Sequence, residues 1–161
     1  MITLLPIEQN DFDIFVEREI IEYARDKVKS GNWLEDQALE KSRAEFMSLL
    51  PDGLNTKDQF VYTIFDEETR IKLGVLWVRV RMDESRRCAF INEFVIEPQF
   101  RRQGFGKQAL QALDIKMDEM GVESIALHVF AHNTNAIALY EKMGYAVTNL
   151  YMGKELRKTA G

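Results

Sequence analysis

The chain has 161 residues, 46% of them apolar and 29% charged, with a formal net charge of −5 at pH 7. That is the composition of one soluble globular domain, residues 1–161, and the negative charge argues against nucleic acid as the main partner. No apolar run approaches the ~20 residues of a membrane helix, and the lone Cys88 cannot close an internal disulfide, so a cytoplasmic setting with no membrane partner is expected.

The N-terminus carries no basic stretch ahead of its apolar residues, so no signal peptide is expected. Residues 2 to 5 read as a short strand ended by Pro6. A helix follows, capped by Asn10, with Phe12, Phe15, Val16, Ile20, Tyr23, Ala24 and Val28 as its apolar stripe and Ser30-Gly31 as its stop. A second helix is expected from about Leu34 to Leu50, with Ala38, Ser42, Phe46 and Leu49 facing inward. From Gln59 the period changes to two, which predicts a strand through Phe65 and a long second one from Ile71 to Met82, with Gly74 as a candidate bulge. A third strand runs from Cys88 to Ile96, and the short polar turns between the three predict an antiparallel meander. The order then becomes strand, helix, strand: a helix from about Gln103 to Met120, then a strand from Ser124 to Phe130, parallel to its neighbour through a right-handed crossover. A short helix from about Asn135 to Met143 ends at Gly144. Tyr145 to Leu156 alternates enough for one or two strands, and Arg157 to Gly161 is expected to fray.

The stretch from Ile91 to Leu110 carries the first functional signal. An apolar strand end, Phe94-Val95-Ile96, runs through Pro98 into the basic turn Arg101-Arg102-Gln103-Gly104-Phe105-Gly106-Lys107 and then a helix. Strand, glycine turn and helix aim several backbone N–H groups at one point, where the positive end of the helix dipole also lies, and such a point binds phosphate. We read this turn as the holder of a cofactor pyrophosphate. A Walker A loop does not fit, because Gln108 follows Gly106-Lys107 and Arg101 stands where a glycine is needed. A dinucleotide fingerprint fits Gly104 to Ala109 locally, but the next strand ends in Phe130-Ala131-His132-Asn133 without the acid that holds a ribose. No metal site is expected.

A second motif follows, Ala126-Leu-His-Val-Phe-Ala-His-Asn133-Thr-Asn-Ala136-Ile-Ala-Leu139-Tyr140-Glu-Lys142-Met-Gly144-Tyr145. Together with Arg101-x-x-Gly104-x-Gly106 it resembles the GNAT superfamily of N-acetyltransferases. The resemblance implies an α/β (α+β) fold: a mixed, mostly antiparallel sheet with two N-terminal helices, a central crossover helix, and fourth and fifth strands that splay apart. It implies acetyl-CoA as co-substrate and a primary amine as acceptor, either a small amine or a protein or peptide amino group. The pyrophosphate would lie on the backbone of Arg102, Gln103, Gly104, Phe105, Gly106 and Lys107, with Arg101 adding charge; each cation could equally be a solvated surface residue. The pantetheine arm would pair with Phe94, Val95 and Ile96, and Asn133 would contact the same arm or else cap the helix after it.

An alkylammonium must lose a proton before it attacks a thioester, the attack makes an oxyanion, and coenzyme A leaves as a thiolate, so the site needs a base, an oxyanion donor and an acid. The resemblance implies that the donor is the Phe94 N–H and the acid Tyr140, whose alternative is a packing role. The base is Glu93 or, through ordered water, His128, which could instead be a satisfied sheet histidine. His132 is the weaker candidate. A non-catalytic coenzyme A-binding module is the alternative function. Homodimers are common in the family, and the tail strand is where a second copy would join.

Overall fold

The computed structural model describes residues 1–157. Its sheet contains β1 (Ile2–Pro6), β2 (Gln59–Asp66), β3 (Ile71–Asp83), β4 (Arg86–Ile96) and β5 (Ser124–Leu127), which lie side by side in that order. The first four are antiparallel neighbours, and β5 runs parallel to β4. Helices α1 (Gln9–Lys29) and α2 (Glu35–Leu49) cover one face; α3 (Phe105–Glu119), the crossover, and α4 (Thr134–Lys142) pack on the other. Among the described residues no helix is long and apolar enough to cross a membrane.

Helical periodicity decides which sides face in. Phe12, Phe15, Ile20 and Ala24 of α1 are buried, the aromatic pair in one cluster with Phe46 of α2 and Val61, Val75 and Trp77 of the sheet. Ser42 is buried with them because its hydroxyl donates to the Ile20 carbonyl at 2.6 Å, which removes the cost of an unpaired polar group between the helices. On the opposite face Ala109, Leu110, Leu113 and Met117 of α3 pack on Leu76, Val78, Ala89 and Ile91. Strand β3 is buried on both sides from Leu73 to Val78, which is why its sequence is a continuous apolar run.

Two irregularities shape the sheet. Ile64 pairs with Gly74 and Phe65 with Lys72, so the expected bulge sits at Leu73, beside Gly74. Trp77 pairs with Glu93 but Val78 with Ile91, which leaves Asn92 as an extra residue in β4. The β4–β5 ladder runs only from Cys88 opposite Ser124 to Ile91 opposite Leu127. It stops at the residue before this bulge, so Asn92 to Ile96 has no strand on its β5 side. The splayed pair of strands is thereby in place. Gly74 holds the other edge of the same segment: a Cβ there would fall on the Val95 carbonyl oxygen, with the Ile96 Cα 3.0 Å away. Gly74→Ala is therefore expected to cost roughly 3 kcal/mol or more by prying β3 from β4, measured by denaturant unfolding; a cost below ~1 kcal/mol would show that β4 can yield there.

Several sequence expectations change. The strand expected to reach Phe130 ends at Leu127, because β4 turns away at Asn92 and leaves nothing to pair with. Glu8, not Asn10, occupies the N-cap of α1, and no side chain caps that helix. Pro6 is the last paired residue of β1, opposite Tyr62, and an edge strand tolerates it there. The crossover helix starts at Phe105 rather than Gln103, once the left-handed Gly104 has turned the chain. No strand forms in the tail between Tyr145 and Arg157. The fraying expected beyond Arg157 falls outside the described residues.

Candidate active site

The turn between β4 and α3 presents free amides. A short 3₁₀ turn, Pro98–Phe100, leads into Arg101, and then Arg102 at φ 61° and Gly104 at φ 84° reverse the chain in the left-handed region. Only glycine enters that region without strain. Among the described residues, no backbone N–H from Arg102 to Lys107 donates to a backbone carbonyl; the first to do so is Gln108, to Gly104 at 3.2 Å. Helix starts leave such donors unpaired, and here they coincide with the dipole's positive end. The residues present thus fit a diphosphate. Arg101 is less available than its charge suggests, since its Nε donates to the Ile96 carbonyl at 2.8 Å and ties the turn to the end of β4. The Gln103 side chain likewise donates within its own turn, to the Gln99 carbonyl at 3.1 Å. Arg102 and Lys107 are exposed. Phe105 packs into the core, and Gly106 lets Leu139 of α4 lie against the helix start, 3.0 Å from where a Cβ would be.

The other end of the gap carries the acid and base candidates. The bulge turns Asn92 and Glu93 toward the α1–α2 side, where Asn92 Nδ2 donates to Gln59 Oε1 at 3.2 Å, the oxygen that also accepts from Trp77 Nε1 at 2.7 Å. Burial pushes the Glu93 carboxyl well above the usual carboxylate range, and the charges of Glu19 and Asp26 on α1 push the same way. Phe94 faces the opposite side, its ring 6.3 Å from that of Tyr140, while Val95 and Ile96 again alternate between the two cores. Burial raises the Tyr140 phenol, followed by the Glu93 charge and Tyr145, whose ring lies 5.6 Å away. Glu93 and Tyr140 belong to different faces of the sheet, yet they sense each other across the opening where β5 has left β4.

A wall of α1 completes the cleft. Glu19, Tyr23 and Asp26 share one helix face. Glu19 is only 5% exposed and takes an Arg18 Nε bond at 3.3 Å, and Arg18 also reaches Glu97 at 2.7 Å. Asp26 meets His132 Nε2 at 3.0 Å and so ties α1 to the loop after β5. Phe130 stacks on His132 (5.5 Å) and stands edge-on to His128 (4.9 Å) and 6.3 Å from Tyr23. Burial and the nearby Lys27 lower the His128 pKa, which favours its neutral, proton-accepting form. His128 lies just past the last paired residue of β5 and is exposed. Asn133 stands at the N-cap of α4 but its side chain makes no capping bond.

Sequence reasoning passed over Glu19, Asp26 and Asn92. Glu19 had a readable signal. It occupies a stripe position, four residues after Phe15 and three after Val16, where an acid is out of place unless it has a task or a partner. Asn92 likewise interrupts an apolar run.

A mixed sheet that opens beside an amide-rich glycine turn is the architecture of an acetyltransferase. The chain belongs to the acetyltransferase (GNAT) family, whose profile matches residues 18–145. Members of this family take their acetyl group from acetyl-CoA. It is 36% identical over 154 residues to the uncharacterized N-acetyltransferase YdgE of Bacillus subtilis (strain 168), covering 96% of this chain and 98% of that protein. To YycN of the same organism it is 37% identical over 155 residues, 96% of this chain and 99% of that one. The crystal structure of YycN superposes with a TM-score of 0.93 over 98% of this chain and all of that one, at 36% identity. A shorter match, 57 residues at 37% identity, is to the [ribosomal protein bS18]-alanine N-acetyltransferase of Escherichia coli (strain K12), spanning 35% of this chain and 38% of that protein.

Proposed function

We propose that this single-domain N-acetyltransferase moves an acetyl group from acetyl-CoA directly to a primary amine, with Glu93 taking the amine proton and Tyr140 protonating the departing thiolate. The observation that carries this reading is one of placement. The unbonded amides from Arg102 to Lys107 and the Glu93–Tyr140 pair border the same opening between β4 and β5.

Bound acetyl-CoA supplies an activated thioester. The chain supplies the rest. The turn amides hold the diphosphate, with Arg101, Arg102 and Lys107 adding charge around it, and the free edge of Phe94, Val95 and Ile96 pairs with the pantetheine arm. Asn133, with no capping bond of its own, is available to the same arm. The Phe94 N–H meets the oxygen that becomes negative during attack. Glu93, held above the usual carboxylate range, accepts a proton more readily than an ordinary carboxylate. Tyr140, raised above the usual phenol value, keeps its proton until the thiolate forms.

The charges of Glu19 and Asp26 reach Glu93 on the acceptor side, a negative surrounding that suits a protonated amine. The partial likeness to an alanine N-acetyltransferase and the Leu127-His128-Val129 segment favour a peptide amino group over a small amine. His128, neutral and exposed, is the second candidate base through water. We place the protein in the cytoplasm, with acetyl-CoA and the acceptor as its partners and neither nucleic acid nor membrane among them.

The test is release of free thiol from acetyl-CoA with a panel of N-terminal peptides and polyamines. Acceptor-dependent release is expected, greatest with a peptide; acetyl-CoA binding without release from any acceptor would instead fit a non-catalytic coenzyme A-binding module. Gly104→Val is expected to raise the Kd for acetyl-CoA roughly tenfold or more, about 1.4 kcal/mol, because a branched side chain both resists φ 84° and blocks backbone approach. Calorimetric titration measures this, and an unchanged Kd would remove the turn from the site.

A further inference from the structure

One arginine of the sheet carries its charge without an acid to meet it. Arg18, Arg25, Arg43, Arg70 and Arg86 each reach a carboxylate. Arg79 in β3 reaches none among the described residues, and its Nε is buried without a hydrogen-bond partner. Its guanidinium lies over the Phe90 ring, with Cζ 5.6 Å from the centroid. A cation drawn partly out of water with no anion beside it is costly, and a buried donor left unpaired calls for a reason.

Register places this group on the acceptor side. Arg79 pairs with Gln59 on one side and Phe90 on the other, and residues opposite one another in antiparallel strands share a face. Trp77, two residues earlier, points the same way and is buried against Phe46 of α2, their rings 5.7 Å apart. The cover given by the helices ends there. Arg79 and Phe90 are half-buried, while Ala126, paired with Phe90, and His128, two residues on, are exposed. An open shelf of sheet therefore runs from Arg79 across Phe90 and Ala126 to the opening that Glu93 borders. Gln59 does not quench the arginine, because its side-chain oxygen already accepts from Trp77 Nε1 at 2.7 Å and Asn92 Nδ2 at 3.2 Å. Arg81, further along the same face, is exposed and adds a second positive charge.

The shelf is thus positive at its Arg79 end and negative at the end where the charges of Glu19 and Asp26 reach Glu93. We infer that Arg79 sets the acceptor specificity, holding a carboxylate of the acceptor while the acceptor's amino group sits at Glu93. The inference rests on the proposed transferase reading and names the acceptor more closely. Glu93 pairs with Trp77 and Phe90 with Arg79, so the two stations lie two residues apart along β3, about 7 Å. A free α-amino acid does not span that distance, because its amine and carboxylate share one carbon. An amino-terminal peptide does, with aspartate or glutamate as its second or third residue. A guanidinium suits the task, since its planar fork of N–H donors matches a carboxylate, and the Phe90 ring beneath it steadies the cation.

The experiment compares peptides that differ only in that carboxylate. Thiol release from acetyl-CoA is followed with peptides carrying one aspartate at the second or third residue, and with their asparagine counterparts. The wild type is expected to favour an aspartate peptide by roughly tenfold or more in kcat/KM, the scale of a charge-assisted hydrogen bond. In Arg79→Gln that ratio is expected to fall to within about twofold, with Arg79→Lys in between, because lysine keeps the charge but not the fork. Arg79→Glu is expected to turn the preference toward lysine at the same peptide position. A circular-dichroism spectrum and a Kd for acetyl-CoA that match the wild type show that each variant is folded. Equal use of the aspartate and asparagine peptides by the wild type would overturn the inference and leave the transferase reading standing. So would a preference for aspartate that survives Arg79→Gln, or thiol release with polyamines and no peptide. No release from any acceptor would remove that reading and the inference with it.

Discussion

Tyr140→Phe is expected to lower kcat by roughly 10²- to 10⁴-fold, the usual contribution of a general acid, while the Kd for acetyl-CoA stays near the wild-type value. The substitution removes one oxygen and keeps the ring, so the contacts with Phe94 at 6.3 Å and Tyr145 at 5.6 Å survive and the fold should not change. Without the phenol, coenzyme A leaves as a bare thiolate or waits for water. The raised pKa of Tyr140 means that the proton is present throughout the working pH range, so the deficit should not shrink as pH is lowered toward neutrality. Single-turnover kinetics separate the chemical step from release. A kcat within about threefold of wild type would make Tyr140 a packing residue.

Glu93→Gln has two expected effects of opposite sign. Activity should fall by roughly 10²- to 10⁴-fold at neutral pH, because a base must be ionised to accept the amine's proton and glutamine cannot do so. In the wild type kcat/KM should rise with pH through the elevated Glu93 pKa, well above the ordinary 4.5, and this limb should vanish in the variant. Survival of the limb in Glu93→Gln together with its loss in His128→Gln would transfer the role to the histidine. Stability should move the other way. In the folded state Glu93 holds its proton to a higher pH than in the unfolded chain, so the folded state binds more protons between the two pKa values and loses stability as pH rises from about 4.5 through the raised value. Glutamine escapes that loss. The variant's Tm should therefore exceed the wild type's at neutral pH, with roughly 2–4 °C expected for each kcal/mol recovered, and the two should converge near pH 4.5. This is a site that holds a carboxylate at the fold's expense.

Why some of this was legible in the sequence follows from which forces are local. The stripes of α1 and α3, the period-two runs of β2 to β4 and the glycine turn are written in spacings of a few residues, and all appear near the expected places. The end of β5 is not local. Ser124 to Phe130 has the composition of a longer strand, but where it stops is settled by a bulge in β4, more than thirty residues earlier in the chain. The tail fails for a related reason, since alternation makes a segment fit for a strand but cannot provide an edge to pair with. For the site, the turn, Glu93 and Tyr140 were readable from motifs, and the structure sets them around one opening. Asp26, held by His132, became visible only when α1 was laid across that opening, whereas Glu19, held by Arg18, was already legible as an acid in an apolar stripe.

A crystal structure of the protein with acetyl-CoA bound tests the central claim most directly. The account expects the diphosphate oxygens within hydrogen-bond distance of the amides between Arg102 and Lys107, with the thioester in the gap between β4 and β5 beside the Phe94 N–H, Glu93 and Tyr140. Acetyl-CoA bound elsewhere, with those amides still facing solvent and the gap closed over, would contradict it.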